Sequence, residues 1–168
     1  IISGHSCGGL LTLMLMAEHP EKVGGGISYM QACFGQLSKS YKVKKVGPEK
    51  ALEKFAKKYP GPAELRARQI NNIKNSENVP VLAFTHPKDK YEGLLSDWLE
   101  EVPGVKRIVI SEDYEINGKS CVVKGDDWQE NVSARKNPGH EMNQGLCFQY
   151  YNPEILNFIA SRLSLIHI

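Results

Sequence analysis

Near the start of the chain a serine stands between glycines two positions to either side, in Gly4-His5-Ser6-Cys7-Gly8. This GxSxG spacing is the signature of a nucleophile raised on a sharp strand-to-helix turn. A serine hydroxyl attacks a carbonyl carbon only once a base removes its proton, which a histidine can do at neutral pH. The histidine in turn needs a carboxylate to hold its tautomer and stabilise the imidazolium. Downstream lie Asp89, in Thr85-His86-Pro87-Lys88-Asp89, and His140, in Pro138-Gly139-His140-Glu141. Their chain order, Ser6 then Asp89 then His140, is the order that follows such a turn, and it is independent of the pattern that singled out Ser6. The chemistry is acyl transfer. The amide of Cys7, at the head of the next helix, is the expected oxyanion donor.

Other residues compete for these roles. Asp97, Asp113 and Asp126 are weaker candidates for the acid, and Asp89 could be a plain turn former. Among the histidines, His5 lies inside the turn, His19 ends a helix and His86 follows its strand closely, which leaves His140 as the base. His5, Gln31 and His86 are candidates for the wall of a substrate pocket. Trp128 and Tyr151 could also line it, although core packing is the commoner fate of aromatic residues. Cys7, Cys33, Cys121 and Cys147 show neither a CxxC pair nor zinc-ligand spacing, so no metal site is expected and buried thiols are expected over a disulfide.

The elements that must hold these groups can be read from periodicity. After the GxSxG turn, residues 9–17 are apolar nearly all round and predict a fully buried helix, stopped by His19-Pro20. Residues 24–29, 79–85 and 105–110 read as core strands, continuous in apolar character as parallel strands are. Helices are expected over 48–59, with Pro48 in the first turn, and over 62–74. Amphipathic helices are expected over 91–101, with Leu94, Leu95, Trp98 and Leu99 inward, and over 153–162, with Ile155, Leu156 and Ile159 inward. Residues 31–48 include a loop and a basic irregular stretch. Residues 112–139 form a long polar stretch with a possible hairpin at Asn117-Gly118. Alternating strands and helices argue a parallel sheet covered on both faces, with chemistry at the carboxyl ends of its strands.

Composition narrows the class further. The chain is 168 residues long with 41% hydrophobic and 24% charged residues, which suits one globular core. The apolar run Leu10 to Ala17 is far too short for a membrane span, which needs about 20 residues. A net charge of +2 implies no nucleic-acid partner. The charge is uneven: residues 39–74 carry eleven Lys and Arg against three acids, which is read as a solvated basic face before it is read as a site for an acidic partner. Asn131-Val132-Ser133 matches a glycosylation sequon by pattern alone, so localisation stays open.

Taken together, Gly4-His-Ser-Cys-Gly8 with its buried helix, the strand leading to Asp89, and Gly139-His140 resemble the α/β-hydrolase superfamily, within it the dienelactone-hydrolase-like and related esterase branches. The resemblance implies an α/β three-layer αβα sandwich with a mostly parallel sheet, of which residues 1–162 would be the C-terminal part. The earlier strands and a second oxyanion donor would then precede residue 1, and residues 1–168 alone are expected to be inactive. Residues 31–78 would be a helical insertion or cap-like segment. The resemblance further implies a small-molecule carboxylic ester or similar acyl substrate, cleaved through an acyl-enzyme without metal or organic cofactor. A peptidase or acyltransferase with the same triad, or a catalytically silent binding module, are the alternatives. Dienelactone hydrolases carry cysteine at the apex, where Ser6 stands here. Residues 163–168 resemble a translated sequencing-library adaptor and are expected to be a non-native tail.

Overall fold

The computed structural model describes residues 1–110, 115–116, 119–120, 137, 139–140 and 150–163. Strands β1 (Ile2–His5), β2 (Gly26–Tyr29), β3 (Val81–Thr85) and β4 (Val105–Val109) form one parallel sheet in that spatial order. Ser3 pairs with Ile27, Ile27 with Leu82 and Leu82 with Lys106. All five residues of β3 are buried, which is why that stretch reads as an unbroken apolar run and not as an alternation.

Because side chains alternate across a strand, β3 feeds two cores. Val81 and Ala83 pack with Leu10, Leu13 and Met16 of α1 (Cys7–Glu18) and Ile73 of α5 (Pro60–Lys74). Leu82 and Phe84 pack on the opposite face with Ile27, Tyr151 and the apolar side of α6 (Asn152–Leu163). The result is a three-layer αβα sandwich. Helix α1 is not buried all round as its sequence suggested: Leu11 and Leu15 are exposed, because α1 presents Leu10, Leu13 and Met16 to the sheet and these two residues lie on the other side. In α6 the inward face is Ile155, Phe158 and Ile159, while Leu156 is 63% exposed, one helical position out of line with that stripe.

Between β2 and β3 the chain builds a smaller helical unit, made of α2 (Leu37–Ser40), α3 (Val43–Val46), α4 (Pro48–Lys58) and α5. Residues 39–48, expected to be irregular, contain the end of α2 and the single-turn helix α3. Gly47, at φ 86°, ends α3, and Pro48 starts α4 at its first position. Leu37, Val43, Ala51, Phe55 and Leu95 form this unit's own core. Residues 91–101 form two 3₁₀ turns, Gly93–Leu95 and Asp97–Glu101, in place of the expected α-helix. Their bonds run three residues back, from the Leu95 amide to the Glu92 carbonyl at 2.7 Å and from the Leu99 amide to the Ser96 carbonyl at 3.1 Å. Strands β5 (Glu115–Ile116) and β6 (Lys119–Ser120) pair antiparallel on either side of 117–118, where a hairpin was expected.

The helical unit is clamped to the loop after β3. The Arg66 guanidinium of α5 donates to both Glu92 carboxylate oxygens at 2.9 and 2.7 Å, and both side chains are over nine-tenths buried. The Ser38 and Lys39 amides donate to the Tyr91 and Lys90 carbonyls at 2.7 and 3.0 Å. Burial pushes the Glu92 carboxyl above the usual carboxylate range and nearby Asp89 adds to this, while Arg66 pulls against both. Arg66→Met therefore strands a buried acid, and urea unfolding of the full-length protein should show a loss of about 3–5 kcal/mol. Adding Glu92→Leu should restore most of it; a double variant no better than the single one would disprove this account of the clamp.

Candidate active site

Ser6 lies between the end of β1 and the start of α1, with φ 57° and ψ −121°. For a residue with a side chain this backbone costs on the order of 1–3 kcal/mol and persists only where surrounding bonds impose it. Those bonds are present. The Ser6 amide donates to the Tyr29 carbonyl at 2.9 Å, and the Ser6 carbonyl accepts from the amides of Gly9, Leu10 and Ala32 at 3.0, 3.2 and 3.0 Å. The crossing of strand and helix needs small residues at Gly4, where a Cβ would collide with the Gly8 carbonyl, and at Gly9, where it would sit 2.9 Å from the Tyr29 oxygen. Gly8, the second glycine of the pattern, would have nothing within 4 Å of a Cβ. The steric requirement thus falls on Gly4 and Gly9, not on both glycines of the motif.

From this apex a chain of hydrogen bonds runs inward. The Ser6 Oγ lies 2.9 Å from His140 Nε2, and His140 Nδ1 lies 3.0 Å from Asp89 Oδ2. An Nδ1–H tautomer satisfies both contacts: the serine hydroxyl donates to Nε2 and Nδ1–H donates to the carboxylate. Asp89 and His140 are 2% and 3% exposed. The other carboxylate oxygen, Oδ1, accepts from the Tyr91 amide at 2.9 Å and from Asn137 Nδ2 at 3.1 Å.

Asn137 is the residue that the motifs did not disclose. Besides Asp89 it binds the Lys90 amide through Oδ1 at 3.0 Å, and its carbonyl accepts from the His140 amide at 3.0 Å. It therefore ties the acid loop to the histidine loop with two bonds and holds the His140 amide with a third. Its one trace in the sequence is its place three residues before His140, in a Pro-Gly turn. Gly139 completes the junction. A Cβ there would come within 2.6 Å of the Asp89 nitrogen and 2.8 Å of His86 Nδ1.

The remaining candidates are distributed as follows. His5 Nε2 donates to the His140 carbonyl at 2.8 Å, with ring centroids 4.7 Å apart, so His5 braces the histidine loop. Gln31 is buried and donates to the Ser96 hydroxyl, and it borders a void of about 10 Å³. His86 is 1% exposed and accepts the Lys88 amide at Nδ1, beneath Gly139. Both side chains are thus buried, Gln31 against Ser96 and His86 beneath Gly139. Asp97 pairs with Arg107, and His19 lies 3.8 Å from Glu21 at the end of α1. Tyr151 is core, its ring edge-on to Phe84. Asp113, Asp126, Trp128, Cys121 and Cys147 lie outside the described residues. The expectation of buried thiols fails at Cys7 and Cys33: both are exposed and joined in a disulfide, with Cα atoms 4.6 Å apart. The cause is the turn after β2, which returns residue 32 to the Ser6 carbonyl and sets residue 33 over the start of α1.

No family model matches the chain, and no curated protein does. Solved structures similar to parts of it include an esterase of Pyrococcus furiosus, with 20% identity and a TM-score of 0.39 over 64% of this chain and 42% of that one. A thioesterase domain from the curacin biosynthetic pathway shows 14% identity and a TM-score of 0.38 over 65% of this chain and 57% of that one. A thermophilic esterase shows 17% identity and a TM-score of 0.34 over 66% and 56%. The chain thus spans about half the length of the structures it matches. Among the described residues no helix is long and apolar enough to cross a membrane.

If the loop junction holds His140 in place, Gly139→Ala should part the two loops. In the parent protein, proton NMR should show a strongly downfield Nδ1–H resonance from the His140–Asp89 bond, and the variant should lose it. Retention of that signal in Gly139→Ala would show that the junction tolerates the methyl group.

Proposed function

We propose that this chain carries the reaction centre of a serine hydrolase acting on carboxylic esters or similar acyl compounds. The observation that supports it most is the unbroken bond path from Ser6 Oγ through His140 to the buried Asp89 carboxylate, at 2.9 and 3.0 Å. In this reading His140 Nε2 takes the Ser6 proton as Oγ attacks the carbonyl carbon. Asp89 stabilises the imidazolium that results. The negative charge that develops on the carbonyl oxygen faces the Cys7 amide, which as the first residue of α1 has no acceptor inside its helix. Collapse of the tetrahedral adduct breaks the bond to the alcohol, which leaves with the proton from His140. Water then repeats the sequence on the acyl-serine, with His140 taking its proton, and releases the acid.

Asn137 and Gly139 act in this scheme as positioning residues, because they hold the acid and the base in one geometry. The helical unit over residues 31–78 serves as a cap-like segment beside the centre.

A fluorophosphonate probe on the full-length protein tests the proposal: it should label Ser6, and Ser6→Ala should lose both labelling and ester turnover. A folded, unlabelled full-length protein would refute the hydrolase reading. Asn137→Ala should lower kcat by about a hundredfold with little change in KM, as a misplacement of catalytic groups by about 1 Å does.

A further inference from the structure

Beside the reaction centre lies a cavity of about 730 Å³. Its walls come from the helical unit and include four aromatic residues, Phe34, Tyr41, Phe55 and Tyr59, together with Leu37 and Leu65. We infer that this cavity receives a ring-bearing group of the ester substrate, and that it selects aryl or fused-ring esters over linear and short-chain ones. The inference rests on the serine-hydrolase reading of Ser6 and adds to it a substrate class.

Proximity to the site is the first support. The Ala32 carbonyl lies 3.5 Å from Ser6 Oγ. The next residue, Cys33, is bonded to Cys7 and forms part of the cavity wall. The chain thus passes from the nucleophile to the cavity within one residue, and the disulfide fixes that wall to the start of α1. Size is the second support: the volume lies within the range of about 300–1,000 Å³ that drug-sized ligands occupy, far more than an acetyl group fills.

The arrangement of the rings is the third. Tyr41 meets Phe55 edge-on at 5.6 Å between centroids, and Phe55 meets Tyr59 tilted at 6.1 Å. Rings set in this way offer both edges and faces, and a flat aromatic guest extends such packing where a linear alkyl chain does not. The Lys58 ammonium lies 5.3 Å from the centre of the Tyr59 ring, so the cavity has a polar rim next to its aromatic wall.

Gly61 gives a means of testing this. It lines the cavity, and a Cβ built on it meets nothing within 4 Å, so Gly61→Trp fills the space without a backbone clash. With the full-length protein, kcat/KM would be measured for ethyl acetate, ethyl decanoate, ethyl naphthylacetate and naphthyl acetate. At least one naphthyl ester should exceed the decanoate by about tenfold or more, and Gly61→Trp should erase that margin. Equal or better turnover of the decanoate, or a naphthyl preference that survives Gly61→Trp, would overturn the inference. Binding of the inert naphthylacetamide to Ser6→Ala, followed by fluorescence, gives a readout that needs no catalysis: binding that Gly61→Trp weakens supports the cavity, and no binding overturns it. Fluorophosphonate labelling of Ser6 reports the hydrolase reading separately, so the two can fail independently.

Discussion

The buried carboxylate of Asp89 is the constraint around which the rest is arranged. An ionised carboxylate at 2% exposure is tolerable only if its oxygens are met by donors. Asp89 has three: the Tyr91 amide, the Asn137 side chain and His140 Nδ1. Each comes with a structural commitment. Tyr91 closes a local turn, Asn137 brings in a segment 48 residues away, and His140 carries the bond path onward to Ser6. The group that orients the imidazole is thus also the one that collects the loops around it.

A second constraint acts at the other end of the path. The backbone of Ser6 is strained, and the strain is imposed by β2 and the turn after it through the Tyr29 carbonyl and the Ala32 amide. The disulfide between Cys7 and Cys33 adds a covalent tie across the same junction. Ser6 is set by β2 and residues 32–33, and His140 by residues 86–91 and 137 together with His5, which bonds its carbonyl from the Ser6 turn. Their 2.9 Å approach requires both parts to be in register on the same sheet. The parallel pairing of β2 with β3 supplies that register.

How much of this the sequence disclosed depends on whether the determinant is local. The β3 run and the start of α4 at Pro48 are set by neighbours a few residues away and can be read from the residues directly; the Ser6 turn is signalled by its flanking glycines, although the bonds that hold it come from Tyr29 and Ala32. Asp89 and His140 could be singled out because the chemistry of a serine nucleophile requires their types in that order. Asn137 could not, since its bonds to Asp89 and Lys90 depend on a meeting of two loops that no periodicity encodes. The Cys7–Cys33 disulfide was missed for the same reason. Leu11, Leu15 and Leu156 are exposed despite their type because an apolar residue shows its hydrophobicity in the sequence but not the face it presents. The 3₁₀ turns at 93–101 keep Leu95 and Leu99 buried. There the apolar spacing identified the inward residues but not the helix type.

The helical unit between β2 and β3 connects these threads, because it acts on the site in two separable ways. Through Arg66, Ser38 and Lys39 it clamps the loop that carries Asp89. Through Phe34, Tyr41, Phe55 and Tyr59 it walls the cavity. The clamp is polar and buried, so it tolerates little change. The cavity wall is apolar and open, so it can change shape without stranding a charge. Leu37 and Phe55 belong both to the unit's core and to the cavity wall, whereas Tyr59 is exposed and Gly61 borders open space. Physical cost therefore partitions the unit: residues facing the Asp89 loop are held by the price of an unpaired ion, while those around the cavity mouth can vary with the shape of the guest. A new guest shape can thus be accommodated at positions that leave the acid loop untouched.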